Sequence, residues 1–108
     1  MSRARAEEKL QVKSGQSDAA ATFILGDEDH TLGNALRHVL MQTGGTEFCG
    51  YAVPHPSEPY AHVRLQTDGE LTATAMLRKG FAELSTSCDH LDAAFGAACE
   101  EFDLRHMA

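Results

Sequence analysis

Leu77, Phe81, Leu84, Cys88, Leu91, Phe95, Ala98 and Phe102 recur at alternating gaps of four and three residues. That row is a heptad seam, and it predicts one long helix from about Leu71 to Met107 with a single narrow apolar face. A helix of roughly 35 residues is about 50 Å long at 1.5 Å rise per residue. A compact domain of about 100 residues has a radius of gyration near 13 Å. The helix must therefore overhang whatever the rest of the chain folds against it. Part of its seam, around Leu91 to Phe102, is expected to find cover on another polypeptide. Gly80 and Gly96 lie within the helix, each costing about 1 kcal/mol against alanine. Small residues there permit a close backbone approach, or a gentle bend at Gly80.

The 108 residues suffice for one small domain, and a hydrophobic content of 43% supports a packed core. The net charge of −7 and the pI near 5.2 argue against a general nucleic-acid binder and against an anionic membrane surface. No apolar run reaches the roughly 18 residues that span a bilayer, and the N-terminus lacks the apolar core of a secretory signal. Cys49, Cys88 and Cys99 are odd in number and widely spaced. They suggest a reducing intracellular compartment rather than a disulfide framework or a zinc site.

Residues 1–19 are polar and mixed in charge, and read as a flexible tail with Leu10-Gln11-Val12 as a possible strand fragment. Residues 20–108 form the folded part. Ala21 to Leu25 reads as a short strand closed by Gly26. Leu32, Ala35, Leu36, Val39 and Leu40 then mark one face of an amphipathic helix over 31–42, ended by Gly44-Gly45. Residues 47–53 read as a second strand, and Pro54, Pro56 and Pro59 impose a loop through His55 and Ser57-Glu58. From Tyr60 to Thr67, Ala61, Val63 and Leu65 alternate with His62, Arg64 and Gln66, as in a strand with one wet face. Asp68-Gly69 turns the chain toward the long helix. The expected fold is α+β: a small, mostly antiparallel sheet with a short helix and a long C-terminal helix on one side.

Residues suited to chemistry are few in the sequence. Asp27-Glu28-Asp29-His30 is a possible divalent-metal or acid–base cluster. It also precedes a helix, where acidic side chains cap free amides and favour the positive end of the dipole. No second acidic or histidine cluster offers the other half of a site. Cys88-Asp89-His90 resembles a nucleophile with its base, but helical residues one and two apart do not share a face. Cys49 reads as a core cysteine. The six histidines show no ligand spacing. The glycines form no phosphate-cradling pattern. No catalytic residue, metal site or cofactor is expected.

Glu28-Asp29-His30-Thr31-Leu32-Gly33-Asn34-Ala35-Leu36-Arg37 closely resembles the signature of the small α-like subunits of RNA polymerases. These are relatives of the dimerisation domain of the bacterial α subunit. Glu47-Phe48-Cys49-Gly50-Tyr51, Pro54-His55-Pro56-Ser57-Glu58 and Arg64-Leu65-Gln66-Thr67 agree in order and spacing. Arg78 to Leu84 and Cys88-Asp89 look like the start of the family's C-terminal helix. The likeness covers about residues 21–104. Phe48-Cys49-Gly50-Tyr51 and His55-Pro56-Ser57-Glu58 look most like the form shared by eukaryotic polymerases I and III. The polymerase II and archaeal counterparts are alternatives. The entry to the long helix, Thr72-Ala73-Thr74-Ala75, is weakly apolar, and residues 1–19 match no family motif.

The resemblance implies a non-catalytic subunit that heterodimerises with a larger α-like subunit and docks the second-largest polymerase subunit. It implies the nucleus, including the nucleolus, with DNA met only through the complex and no membrane. Leu32, Leu36, Val39 and Leu40 would join Leu77, Phe81, Leu84, Cys88, Leu91, Phe95 and Phe102 in the partner contact. Asp29, His30, Thr31, Gly33 and Asn34 would shape the strand–helix junction and touch neighbouring subunits. Two rivals carry other expectations. A generic helical dimerisation module leaves the 28–37 motif unexplained. A small metal-dependent enzyme would use Asp27, Asp29 and His30.

Overall fold

The computed structural model describes residues 5–107. Its elements run β1 (Leu10–Ser14), β2 (Ala20–Gly26), α1 (His30–Gln42), β3 (Thr46–Ala52), β4 (Tyr60–Thr67) and α2 (Ala73–His106). The strands form one antiparallel sheet in the order β1-β2-β4-β3.

Alternation decides which face of the sheet is covered. Phe23 of β2 stands opposite Val63 of β4, Ala21 opposite Leu65, and Leu25 opposite Ala61. Paired residues point to the same side. All six are buried with Cys49 of β3, Leu36 and Leu40 of α1, and Ala73, Met76 and Leu77 of α2. Both helices therefore lie on one face, as the sequence pattern implies. The other face carries His62, Arg64 and Gln66. An irregularity between Thr46 and Phe48 leaves Glu47 without a register partner on β4.

Within the stretch read as a flexible tail, the strand fragment at Leu10-Gln11-Val12 is present and longer than expected. Leu10–Ser14 is not loose chain but strand β1, paired with β2 from Leu10↔Leu25 to Ser14↔Ala21. The physical reason is that β2 would otherwise present unpaired amides and carbonyls along a buried strand. Gly15 makes the return possible: its N–H donates to the Ala20 carbonyl at 2.9 Å, and a β-carbon there would sit 2.8 Å from that oxygen. Residues 1–4 of the tail reading lie outside the described residues.

The long helix begins two residues later than its sequence boundary, at Ala73, because Thr72 caps it. The Thr72 hydroxyl accepts from the Ala75 N–H at 3.1 Å. With 34 residues, α2 is about 51 Å long. The radius of gyration of 17.6 Å and the extents of 64 × 41 × 17 Å record the overhang. Its buried residues, Ala73, Met76, Leu77 and Gly80, all fall in the first third.

Candidate partner interface

The start of α1 is held from four directions. Asp29 caps it, its carboxylate accepting from the Thr31 N–H at 2.9 Å. Asp27 adopts a left-handed backbone, φ 57°, which aspartate tolerates better than most residues. Its amide donates to the Pro59 carbonyl at 2.7 Å, and its carboxylate takes the Ala6 N–H at 2.8 Å. Glu28 pairs with Lys9 at 2.8 Å, and the same Lys9 ammonium donates to the Gly26 carbonyl at 2.7 Å. His30 Nδ1 lies 3.2 Å from the Tyr51 hydroxyl, with the rings edge to face.

These four side chains point to four different partners. They do not converge on a common point, as metal ligands must. Among the described residues, no three histidine, cysteine or acidic side chains come together as a metal-holding group. The motif is a junction. It binds the end of the 55–58 loop, through Pro59, to the N-terminal segment and to α1. His55, Pro56, Ser57 and Glu58 are exposed at that junction, in a turn closed by the Glu58 N–H on the His55 carbonyl at 3.2 Å. Gly33 is buried because Tyr51 leaves no room: a β-carbon there would stand 2.6 Å from its ring.

The expected contact residues divide into two sets. Leu36 and Leu40 are 0% exposed and Leu77 is 4% exposed. They belong to the chain's own core, which corrects their placement in a partner contact. The reason is the crossing of α1 over α2, where Gly80 lets the two backbones approach. Thr43, at the end of α1, secures the crossing by donating to Glu83 of α2 at 2.8 Å.

Beyond that crossing the seam opens progressively. Phe81 is 37% exposed, Leu91 71%, Phe95 68% and Phe102 59%. Leu84 is half-buried and Cys88 exposed, while Leu32 and Val39 sit half-buried on α1. Cys88, Leu91, Asp92 and Phe95 line an open hollow of about 420 Å³ on α2. A second hollow, about 270 Å³, lies between Lys9, Leu10, Leu25, Glu28, Leu32 and Phe81. Leu10 was absent from the expected contact set. Its signal was the Leu10-Gln11-Val12 alternation, which sets Leu10 on the helix side of the sheet beside Leu25. Leu104 and Met107 are also exposed but fall off the seam row.

Cys49 is the one thiol in the core. Burial pushes its pKa up to about 11, against a weaker lowering by the Arg37 charge. It is inert at neutral pH. Cys88 and Cys99 lie exposed on α2. No helix among the described residues is long and apolar enough to cross a membrane.

An apolar row of this length, exposed on a helix, is the kind of surface that marks protein–protein contact. Known proteins agree with that geometry. Residues 20–94 match the RNA polymerase Rpb3/Rpb11 dimerisation domain. A Saccharomyces cerevisiae protein, DNA-directed RNA polymerases I and III subunit RPAC2, is 46% identical over 80% of this chain and 61% of its own length. The chain thus spans less than two thirds of that yeast relative. The Danio rerio protein of the same name is 42% identical over 82% of this chain and 79% of its own length. In fold, the chain resembles DNA-directed RNA polymerase subunit L from Thermoplasma acidophilum, with a TM-score of 0.75 at 18% identity, covering 95% of this chain and all of that one. The chain belongs to the family of the RNA polymerase Rpb3/Rpb11 dimerisation domain.

Proposed function

We propose that this chain is the non-catalytic small α-like subunit shared by RNA polymerases I and III. It pairs with a larger α-like subunit, and the pair forms the platform on which the second-largest subunit docks. The observation that carries the reading is the exposed apolar row from Leu91 to Phe102, on a helix that projects beyond its own domain. Relatives at 42–46% identity that are named for polymerases I and III support the choice among polymerases.

The pairing face consists of Phe81, Leu84, Cys88, Leu91, Phe95 and Phe102, with Leu32 and Val39 of α1 at its edge. Burying a large apolar side chain contributes about 1.5–3 kcal/mol, so a few of these suffice to offset the cost of association. The 28–37 motif acts through structure: it fixes where α1 sits and so where the pairing face begins. The subunit works in the nucleus, including the nucleolus, and with a net charge of −7 it meets DNA only through the assembled enzyme.

Affinity purification of the tagged chain, with identification of its companions, tests this reading. Subunits of both polymerase I and polymerase III are expected. Recovery of polymerase II alone, or of no polymerase, would overturn it.

A further inference from the structure

Lys79 is the last lysine or arginine on α2 before Arg105, and between them stand Glu83, Asp89, Asp92, Glu100, Glu101 and Asp103. The bare part of the seam runs through this acidic length. With about 100° of turn per residue, Asp92 and Glu101 border the apolar row on opposite sides, and Asp89 and Asp103 lie one step farther out. Asp92 is itself part of the rim of the hollow formed with Cys88, Leu91 and Phe95. The cation at the helix end is already engaged, Arg105 donating to the Glu101 carboxylate at 2.6 Å.

We infer, on the reading of α2 as the pairing face, that its acidic flanks select a partner helix whose apolar row is bordered by lysine or arginine, and that they disfavour a second copy of this chain. The apolar row supplies affinity without regard to identity, because burial of area is non-directional. The flanks supply the choice. In a symmetric pair of copies, the flank of one helix faces the flank of the other. On the side of Asp92, where Asp89 and Asp103 also lie, the charges meeting there are carboxylates from both copies, while Glu101 on the other side is offset by its own Arg105. Like charges brought together as water leaves an interface are strongly unfavourable, and opposite charges steer the encounter. A single apolar seam thereby yields a heterodimer rather than a homodimer.

Salt separates the two kinds of pair. At about 0.05 M salt the flanks interact over more than 10 Å, and near 1 M over about 3 Å. Sedimentation equilibrium of the full chain at those two concentrations should show self-association rising about tenfold with salt, as repulsion is screened. A chain carrying Asp89→Lys, Asp92→Lys and Asp103→Lys, mixed with the unaltered chain, should behave oppositely, pairing at low salt and loosening at high salt. These three carboxylates lie on exposed helix away from the core, so helical ellipticity should be retained. If the altered chain unfolds, the salt series on the unaltered chain decides alone. Self-association that is insensitive to salt would overturn charge selection, as would a mixture no tighter than the unaltered chain with itself. Recovery of polymerase subunits alongside salt-insensitive self-pairing would remove the charge selection and leave the assembly role in place.

Discussion

Gly80 of α2 lies directly against Leu40 of α1: a β-carbon on Gly80 would stand 2.6 Å from Leu40 Cδ2 and 2.9 Å from its Cγ. The two helices cross where one of them has no side chain. Leu36 lies close by, at 3.5 Å from the same point. The crossing therefore fixes both the angle at which α2 leaves the domain and the residue after which its seam is bare.

Gly80→Ala should lower the thermal midpoint despite the better helix propensity of alanine. Propensity contributes about 1 kcal/mol, whereas overpacking a filled core costs about 1–3 kcal/mol. Gly96→Ala should do the reverse, since nothing lies within 4 Å of its added methyl. Helical ellipticity should rise slightly, by about 1 kcal/mol of local helix stability. Melting curves of the two variants, followed by circular dichroism, check both signs.

Phe95→Asp should abolish the proposed pairing while leaving the fold of the chain intact. Phe95 is 68% exposed, so the substitution removes no core contact, but pairing would then bury an unpaired charge. Leu36→Ala should do something different. Its side chain is fully buried, and its truncation should destabilise the chain by about 2–5 kcal/mol. Co-purification and thermal melts on the same two variants tell a pairing residue from a core residue.

Asp29→Ala should destabilise the chain by about 0.5–2 kcal/mol through loss of the α1 cap. The bonds lost include the one from the Thr31 N–H at 2.9 Å. Denaturant titration measures the cost. Asp29→Ser should recover most of it, because a serine hydroxyl also caps. Failure of serine to recover stability would locate the role of Asp29 elsewhere.

Thiol labelling at neutral pH should modify Cys88 and Cys99 rapidly and Cys49 only on unfolding. The cause is geometric for the first two, which are exposed, and both geometric and ionic for Cys49. The raised pKa of Cys49 also makes stability depend on pH. Its folded value, about 11, lies above the ordinary 9.0, so the folded state holds the proton more tightly. The stabilisation is whole below pH 9 and declines as pH rises toward about 11. Cys49→Ser should diminish that decline, as read from denaturant midpoints across the alkaline range.

Much of this architecture is legible in local pattern. The heptad row announces a helix longer than its domain, because apolar spacing reports helical period directly. The alternation of Ala61, Val63 and Leu65 identifies a half-buried strand for the same reason. The 28–37 motif identifies the family, and its acidic residues alone read first as capping groups at a helix start rather than as an ion site. Less legible are the partners of Asp27, Glu28 and His30. Each lies far along the chain, at Ala6, Lys9 and Tyr51. Lys9 and Leu10 belong to a segment whose composition alone suggests a loose tail.

The sequence by itself determined that one apolar row exists, that it is helical, and that it is too long for a domain of this size to cover. Periodicity and length are properties of the chain, and need no neighbour to be read. Only the tertiary structure decided where the row changes owner. Leu77 and the facing Leu36 and Leu40 are spent on the chain's own core, and beyond the half-buried Leu84 the seam is open. A pattern of residues fixes which side of a helix is apolar but not what will lie against it. That depends on where a second helix crosses, and the crossing is set by the absence of a side chain at Gly80.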